Sequence, residues 1–277
     1  MRTIKAGTIT EKIKKLYIDA NIRVDRELLV ALKKAEKNEN SRLPKYMLGQ
    51  IVQNCEIAAK KSRPICQDTG LAVIFINIGQ QVRITGSDLT AAVNRGVAEA
   101  CRAGYLRQSV LDPLTRKNTG NNSPAIIYTR VSGGSRIKLT VIPKGFGSEN
   151  MGQVKMLKPG AGAEGIIDFV TGCVKTAGAN PCPPIVVGVG VGGTMDYAAL
   201  LAKEALFGIE PTNNKQALAL AAKLLKKINT LGIGPAGLGG KTTALGVRIK
   251  TYPTHIAGLP VAVNIGCWCH RAKSVTI

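Results

Sequence analysis

Aromatic side chains are scarce in this sequence, with four Phe, six Tyr and a single Trp making up 4% of 277 residues. No basic run is interleaved with them, which argues against a stacking platform for single-stranded nucleic acid. Long apolar runs are missing too. No stretch approaches the roughly 18 consecutive apolar residues that a membrane span needs. The opening MRTIKAGTITEKIKK has no apolar segment behind its charges, so no membrane association and a cytoplasmic location are expected. Acidic residues are few, 17 against 38 Lys and Arg for a net charge of +21, and the final 67 residues carry nine basic residues and no Asp or Glu. Such a field attracts anions, whether an acidic partner, a small polyanionic substrate or nucleic acid. The shortage of aromatics ranks nucleic acid last of the three. Seven cysteines at irregular spacing form an odd set rather than a disulfide framework. In a reducing compartment they are thiols or ligands to a soft metal centre.

Hydrophobic periodicity predicts an α/β fold, a mixed sheet packed with helices behind a helical N-terminal third. One domain over 1–277 is the simplest account, with a helical portion 1–61 and a mixed portion 62–277. Asp25 is placed to cap a helix whose Leu28, Leu29, Leu32 and Ala35 share a face, and Leu48, Ile51, Val52, Cys55 and Ala59 repeat that pattern after Pro44. The run LAVIFINIG (71–79) has strand length, and Ser87 is placed to cap a helix through Cys101. Residues 125–131 and 136–142 read as a hairpin around Ser132–Ser135. Cys55 and Cys101 lie on apolar helical stripes and read as core.

Two glycine-rich passages imitate nucleotide sites. Gly188, Gly190 and Gly193 satisfy G-x-G-x-x-G between an apolar strand and a helix, but no second strand ending in an acidic residue follows. GPAGLGGKTT (234–243) misses the P-loop spacing by one residue. Either turn could offer backbone N–H groups to an anion, or could exist only for close packing.

Three further passages concentrate chemistry. PICQDTG (64–70) sets a thiol, an amide, a carboxylate and a hydroxyl in consecutive positions between a proline and a glycine. NPCPP (180–184) holds Cys182 between prolines, and GCWCHRA (266–272) places two cysteines beside the only Trp. These thiols follow no apolar stripe. Structural zinc sites use close Cys pairs, so isolated cysteines favour an iron-sulfur cluster with one iron lacking a protein ligand.

CQDTG, DPLTRKNTGNNSPA, PKGFGSEN, NPCPP with GVGVGGTMD, GIGPAGLGGKTTALGV and THIAGLPVAVNIGCW together resemble successive blocks of the class I fumarate hydratase and L-tartrate dehydratase family, from about residue 40 onward. The resemblance implies the alpha subunit of a two-subunit hydro-lyase hydrating fumarate to L-malate, a step of the tricarboxylic acid cycle, with L(+)-tartrate dehydration as the alternative. A basic nucleic-acid-binding protein is the remaining, weaker reading. The resemblance further implies a 4Fe-4S cluster on Cys66, Cys182 and Cys267, with Cys269 an alternative to Cys267. It implies catalytic roles for Asp68 and His255, and C4 dicarboxylate contacts from Gln67, Arg107 and Gly147. A beta subunit would complete the site, leaving this chain inactive alone. Phe146 departs from the family's usual PKGGGSEN.

Overall fold

The computed structural model describes all 277 residues. The fold is α/β and helical through most of residues 6–61, as expected. Contacts group the chain into two compact units whose boundary does not follow residue 61. The first comprises Met1–Asp25, Asn54–Phe146 and Arg271–Ile277, and the second Arg26–Gln53 and Gly147–His270.

In the first unit a short strand β1 (Arg2–Lys5) leads into α1 (Ala6–Ile22), which buries Ile9, Ile13 and Tyr17 along one face. This face meets α4 (Leu89–Ala103), and both helices cover a four-stranded sheet ordered β10–β5–β2–β4. The strands are β2 (Leu71–Gly79), β4 (Ile126–Ser132), β5 (Ile137–Lys144) and β10 (Lys273–Thr276). A separate strand β3 (Val82–Thr85) pairs in parallel with β1. Ala72, Ile74 and Ile76 of β2 are almost fully buried, and each large apolar side chain so removed from water contributes roughly 1.5–3 kcal/mol.

Two expectations change here. The cap of α4 is Asp88, not Ser87; its side chain accepts from the Ala91 amide at 2.8 Å. Residues 125–131 and 136–142 form strands that do not pair with each other. β2 lies between them, parallel to β4 and antiparallel to β5. The connecting turn wraps the end of β2 and takes the amides of Gly79, Gln80 and Gln81 through the carbonyls of Arg136, Ser132 and Gly134. A strand as apolar as β2 needs neighbours on both edges, and this arrangement supplies them.

The second unit contains α2 (Arg26–Asn38), the start of α3 (Arg42–Lys61) and, following the single-turn α5 (Phe146–Glu149), a second four-stranded sheet. Its order is β6–β9–β7–β8, with β6 (Gln153–Leu157), β7 (Ile185–Gly192), β8 (Ala244–Tyr252) and β9 (Leu259–Gly266). The helices α6 (Gly162–Ala177), α7 (Met195–Phe207) and α8 (Lys215–Asn229) pack around it. Gly188 and Gly190 lie within β7 rather than in a phosphate-binding turn. A Cβ on either would stand 2.2 or 2.1 Å from the Ala202 or Ala198 carbonyl oxygen of α7. The G-x-G-x-x-G pattern therefore marks a close strand–helix approach. No helix is long and apolar enough to cross a membrane.

Candidate active site

In the first unit the PICQDTG passage becomes the turn that feeds β2. Its start is fixed by the Ile65 amide on the Asn21 carbonyl at 2.9 Å and by Asn54 Nδ2 on the Ile65 carbonyl at 2.9 Å. The Asp68 amide points at Cys66 Sγ from 3.4 Å. Asp68 is half-buried; its Oδ1 accepts from the Gly70 amide and its Oδ2 from the Phe146 amide, each at 2.9 Å. Arg271, itself buried, donates through Nη2 to the Asp68 carbonyl at 2.5 Å and the Thr69 carbonyl at 3.4 Å. Gly70 has φ +80°, and a Cβ there would lie within 2.8 Å of the Lys144 backbone, so the turn requires glycine. Backbone groups thus aim the carboxylate without occupying all its acceptor positions.

Asp68 opens on a cavity of about 660 Å³ in the same unit, walled by Ser109, Asp112, Arg116, Ile126 and Phe146 among others. Asp112 shapes one wall, its Oδ1 accepting from the Leu114 and Thr115 amides and the Thr115 hydroxyl, and these bonds hold its carboxyl below the usual carboxylate range. Arg107 is exposed and is not part of the cavity wall; the guanidinium found there belongs to Arg116. Sequence reasoning passed over Arg116, although it stands in the DPLTRKNTG block, because no local pattern separates it from neighbouring basic residues. Gln67 is exposed, and its Oε1 lies 3.5 Å from Cys66 Sγ.

In the second unit Cys182 and Cys267 lie at one end of the sheet. The first precedes β7 and the second follows β9, and these strands pair antiparallel with Val186 opposite Gly266. The Trp268 amide donates to the Cys182 carbonyl at 3.2 Å, joining the two loops. Cys182 takes a left-handed backbone at φ 54°, and the Ala236 amide of the GPAGLGG loop supports the next residue through the Pro183 carbonyl at 2.8 Å. Gly147 is adjacent: a Cβ there would stand 3.5 Å from the Asn180 carbonyl oxygen. The GPAGLGG loop already has an internal anion. The Lys241 amide donates to buried Glu39 at 2.7 Å. Burial opposes the Glu39 charge, but amides of Ser41, Lys241 and Asn40 outweigh it and lower the carboxyl pKa.

His255 lies elsewhere. It precedes β9 while Cys267 follows it, so the eight residues of that strand separate them by roughly 25 Å at about 3.3 Å per residue. His255 Nδ1 accepts from the Ala257 amide at 3.2 Å, and the ring borders a cleft of about 530 Å³ with Thr194, Asp196, Tyr197 and Tyr252.

The thiols fall into two classes. Cys55, Cys101, Cys173 and Cys269 are buried, and burial pushes the first three up to about 11, away from the thiolate a metal requires. Cys66, Cys182 and Cys267 are partly or fully exposed. Neither unit gathers three His, Cys, Asp or Glu side chains in a metal-holding group; Cys66 belongs to the first unit, and Cys182 and Cys267 to the second. The donor set fits a thiolate-bound cluster in type and accessibility, and an amide already aimed at Cys66 Sγ is a contact that tunes such sulfur ligands.

A family model of fumarate hydratase (Fumerase) matches residues 10–276. The chain belongs to the fumarate hydratase family. It is 42% identical over 271 residues, covering 95% of both chains, to a Methanocaldococcus jannaschii protein that carries the provisional name L(+)-tartrate dehydratase subunit alpha. It is 30% identical over 277 residues to the L(+)-tartrate dehydratase subunit alpha of Escherichia coli strain K12, covering 97% of this chain and 90% of that one. Within this family the match spans both units, and every candidate residue described above falls inside it.

Proposed function

We propose that this chain is the alpha subunit of a two-subunit hydro-lyase acting on a C4 dicarboxylate, with L(+)-tartrate dehydration as the leading reaction. The observation that carries the reading is the nearly end-to-end match to tartrate dehydratase alpha subunits. It reverses the order drawn from the sequence, which ranked fumarate first. Fumarate hydration stays as the second reading because the matching family model is described by that activity.

Cys66, Cys182 and Cys267 are the residues we assign to a 4Fe-4S cluster. The chemistry supplied by such a cluster, when bound, is Lewis acidity at an iron without a protein ligand. The chain's own residues would do the rest. Asp68 Oδ moves the proton on the carbon next to the hydroxyl-bearing carbon, taking it during dehydration and returning it during hydration. Breaking that C–H bond and the neighbouring C–O bond releases water and leaves an unsaturated acid. Arg116, in the cavity wall, suits a substrate carboxylate because a guanidinium donates two parallel N–H bonds. Arg107, Gln67 and the Gly147 backbone are further carboxylate contacts in this proposal. His255 is a candidate contact from the other end of its strand.

A beta subunit completes the site, and the basic C-terminal portion would favour an acidic partner. The test is anaerobic co-purification with a candidate beta subunit, followed by steady-state assays on L(+)-tartrate and fumarate. The proposal expects turnover only by the pair, with the higher kcat/KM for tartrate. Full turnover by the alpha chain alone would contradict the two-subunit reading. A higher kcat/KM for fumarate would restore the second.

A further inference from the structure

Asn122 of the first unit has no exposed surface and uses every hydrogen-bonding position of its amide. Its Nδ2 donates to the Tyr17 hydroxyl at 3.0 Å and the Gly70 carbonyl at 3.1 Å. Its Oδ1 accepts from the amides of Ser109 at 2.8 Å and Val110 at 3.2 Å. Tyr17, equally buried, donates its own hydroxyl to the same Gly70 carbonyl at 3.0 Å. Burial pushes the Tyr17 phenol well above its usual range, which keeps that donor protonated. These bonds join two segments. Gly70 closes the turn whose amide holds Asp68 Oδ1, while Ser109 and Val110 form part of the wall of the cavity onto which Asp68 opens.

We infer that Asn122 is a positioning residue for the reaction, fixing the Asp68 turn against the Ser109–Val110 wall and so setting the width of the cavity between them. The inference rests on the assignment of Asp68 to proton transfer. Only an uncharged amide of this length meets all four partners. An Asp here loses both donors and turns a carboxylate oxygen toward the Gly70 carbonyl. A Ser is too short to span the two segments. The Asp change sets a carboxylate oxygen against the Gly70 carbonyl, and the Ser change leaves the Ser109 and Val110 amides without their acceptor; either is relieved only if the wall moves. A displacement of about 1 Å between a proton-transfer group and its substrate lowers the rate by around 100-fold.

The experiment uses the alpha–beta complex with Asn122→Asp, and with Tyr17→Phe as the milder change. Rates are normalised to iron content, and hydrogen exchange is followed at the backbone amides. For Asn122→Asp the expected result is a kcat lowered on the order of 10- to 100-fold, a shifted ratio of tartrate to fumarate kcat/KM, and faster exchange at Ser109 and Val110. Exchange in β2 and β5 should stay as in the unaltered protein. Tyr17→Phe removes one of the two donors to Gly70 and should lower kcat by about 3- to 10-fold without loss of iron. Two results overturn the inference. One is unchanged kcat per iron in both variants. The other is exchange that rises equally in β2, β5 and the wall, which marks Asn122 as a general core residue. An unaltered complex that turns over neither substrate contradicts the hydro-lyase reading instead, and the exchange data then decide the positioning claim alone.

Discussion

The two units build their sheets on the same pairing scheme and set different side chains around them. In each, an apolar central strand has a parallel neighbour on one edge and an antiparallel neighbour on the other, and that antiparallel neighbour carries an antiparallel edge strand. The central strands are β2 and β7, and each is preceded by a turn bearing a cysteine, Cys66 or Cys182. The difference lies in what surrounds that turn. Around Cys66 the first unit adds a carboxylate held by backbone amides and a cavity beside it. Around Cys182 the second unit adds another thiol, on a loop bonded to the Cys182 carbonyl, and a glycine-rich loop bonded to the Pro183 carbonyl. A buried central strand fixes where its preceding turn stands, so chemistry is chosen by the turn residues without disturbing the sheet.

If the first unit supplies the proton chemistry, Asp68→Asn should keep the iron content and lose turnover on the order of 100-fold or more, because an amide preserves the shape and cannot carry the proton. Assay of the alpha–beta complex checks this; turnover within a few-fold would reduce Asp68 to a turn residue. In the second unit the glycine-rich loop is held by Glu39, so Glu39→Gln should destabilise the chain by about 1–3 kcal/mol as the amides of Ser41, Lys241 and Asn40 lose a charged acceptor. The sign with pH follows from the lowered carboxyl pKa. The stabilisation is fully present above the ordinary carboxylate pKa of about 4.3 and is lost as pH falls through the lower folded value. Denaturant midpoints for the two proteins should therefore differ most near neutrality and converge in acid. A smaller effect is expected for His255→Asn. Because β9 carries this residue to the end of the sheet away from Cys182 and Cys267, its cost in kcat/KM should fall below that of Asp68→Asn. A loss as large as that of Asp68→Asn would place His255 in the proton-transfer step.

Much of the fold was legible because burial leaves a periodic trace. LAVIFINIG coincides with β2, and the apolar stripes of α2 and α3 appear as spaced residues. The pairing of β4 and β5 was not legible. Two strands joined by a glycine-containing turn look like a hairpin whether or not a third strand lies between them, and only the contact of the turn with Gly79, Gln80 and Gln81 tells them apart. The common scheme of the two sheets was hidden for a related reason, since pairing depends on which faces are buried and not on residue identity. Among the candidate residues, Cys66, Asp68 and Cys182 stood out because each sits between residues that break regular structure. Arg116 and Asn122 did not, because what sets them apart is a place in a cavity wall and four bonds to distant segments, neither of which leaves a local sequence pattern.

The assignment of Cys66 and Cys182 as cluster ligands carries the most weight in the proposed function. The direct measurement is iron and acid-labile sulfide in the anaerobically reconstituted alpha chain, in unaltered form and as Cys66→Ser, Cys182→Ser and Cys173→Ser. About four iron and four sulfide per chain are expected for the unaltered and Cys173→Ser proteins, with most of both lost from Cys66→Ser and from Cys182→Ser, because a hydroxyl replaces thiolate poorly on iron. Full iron and sulfide in either of those two variants would contradict the assignment.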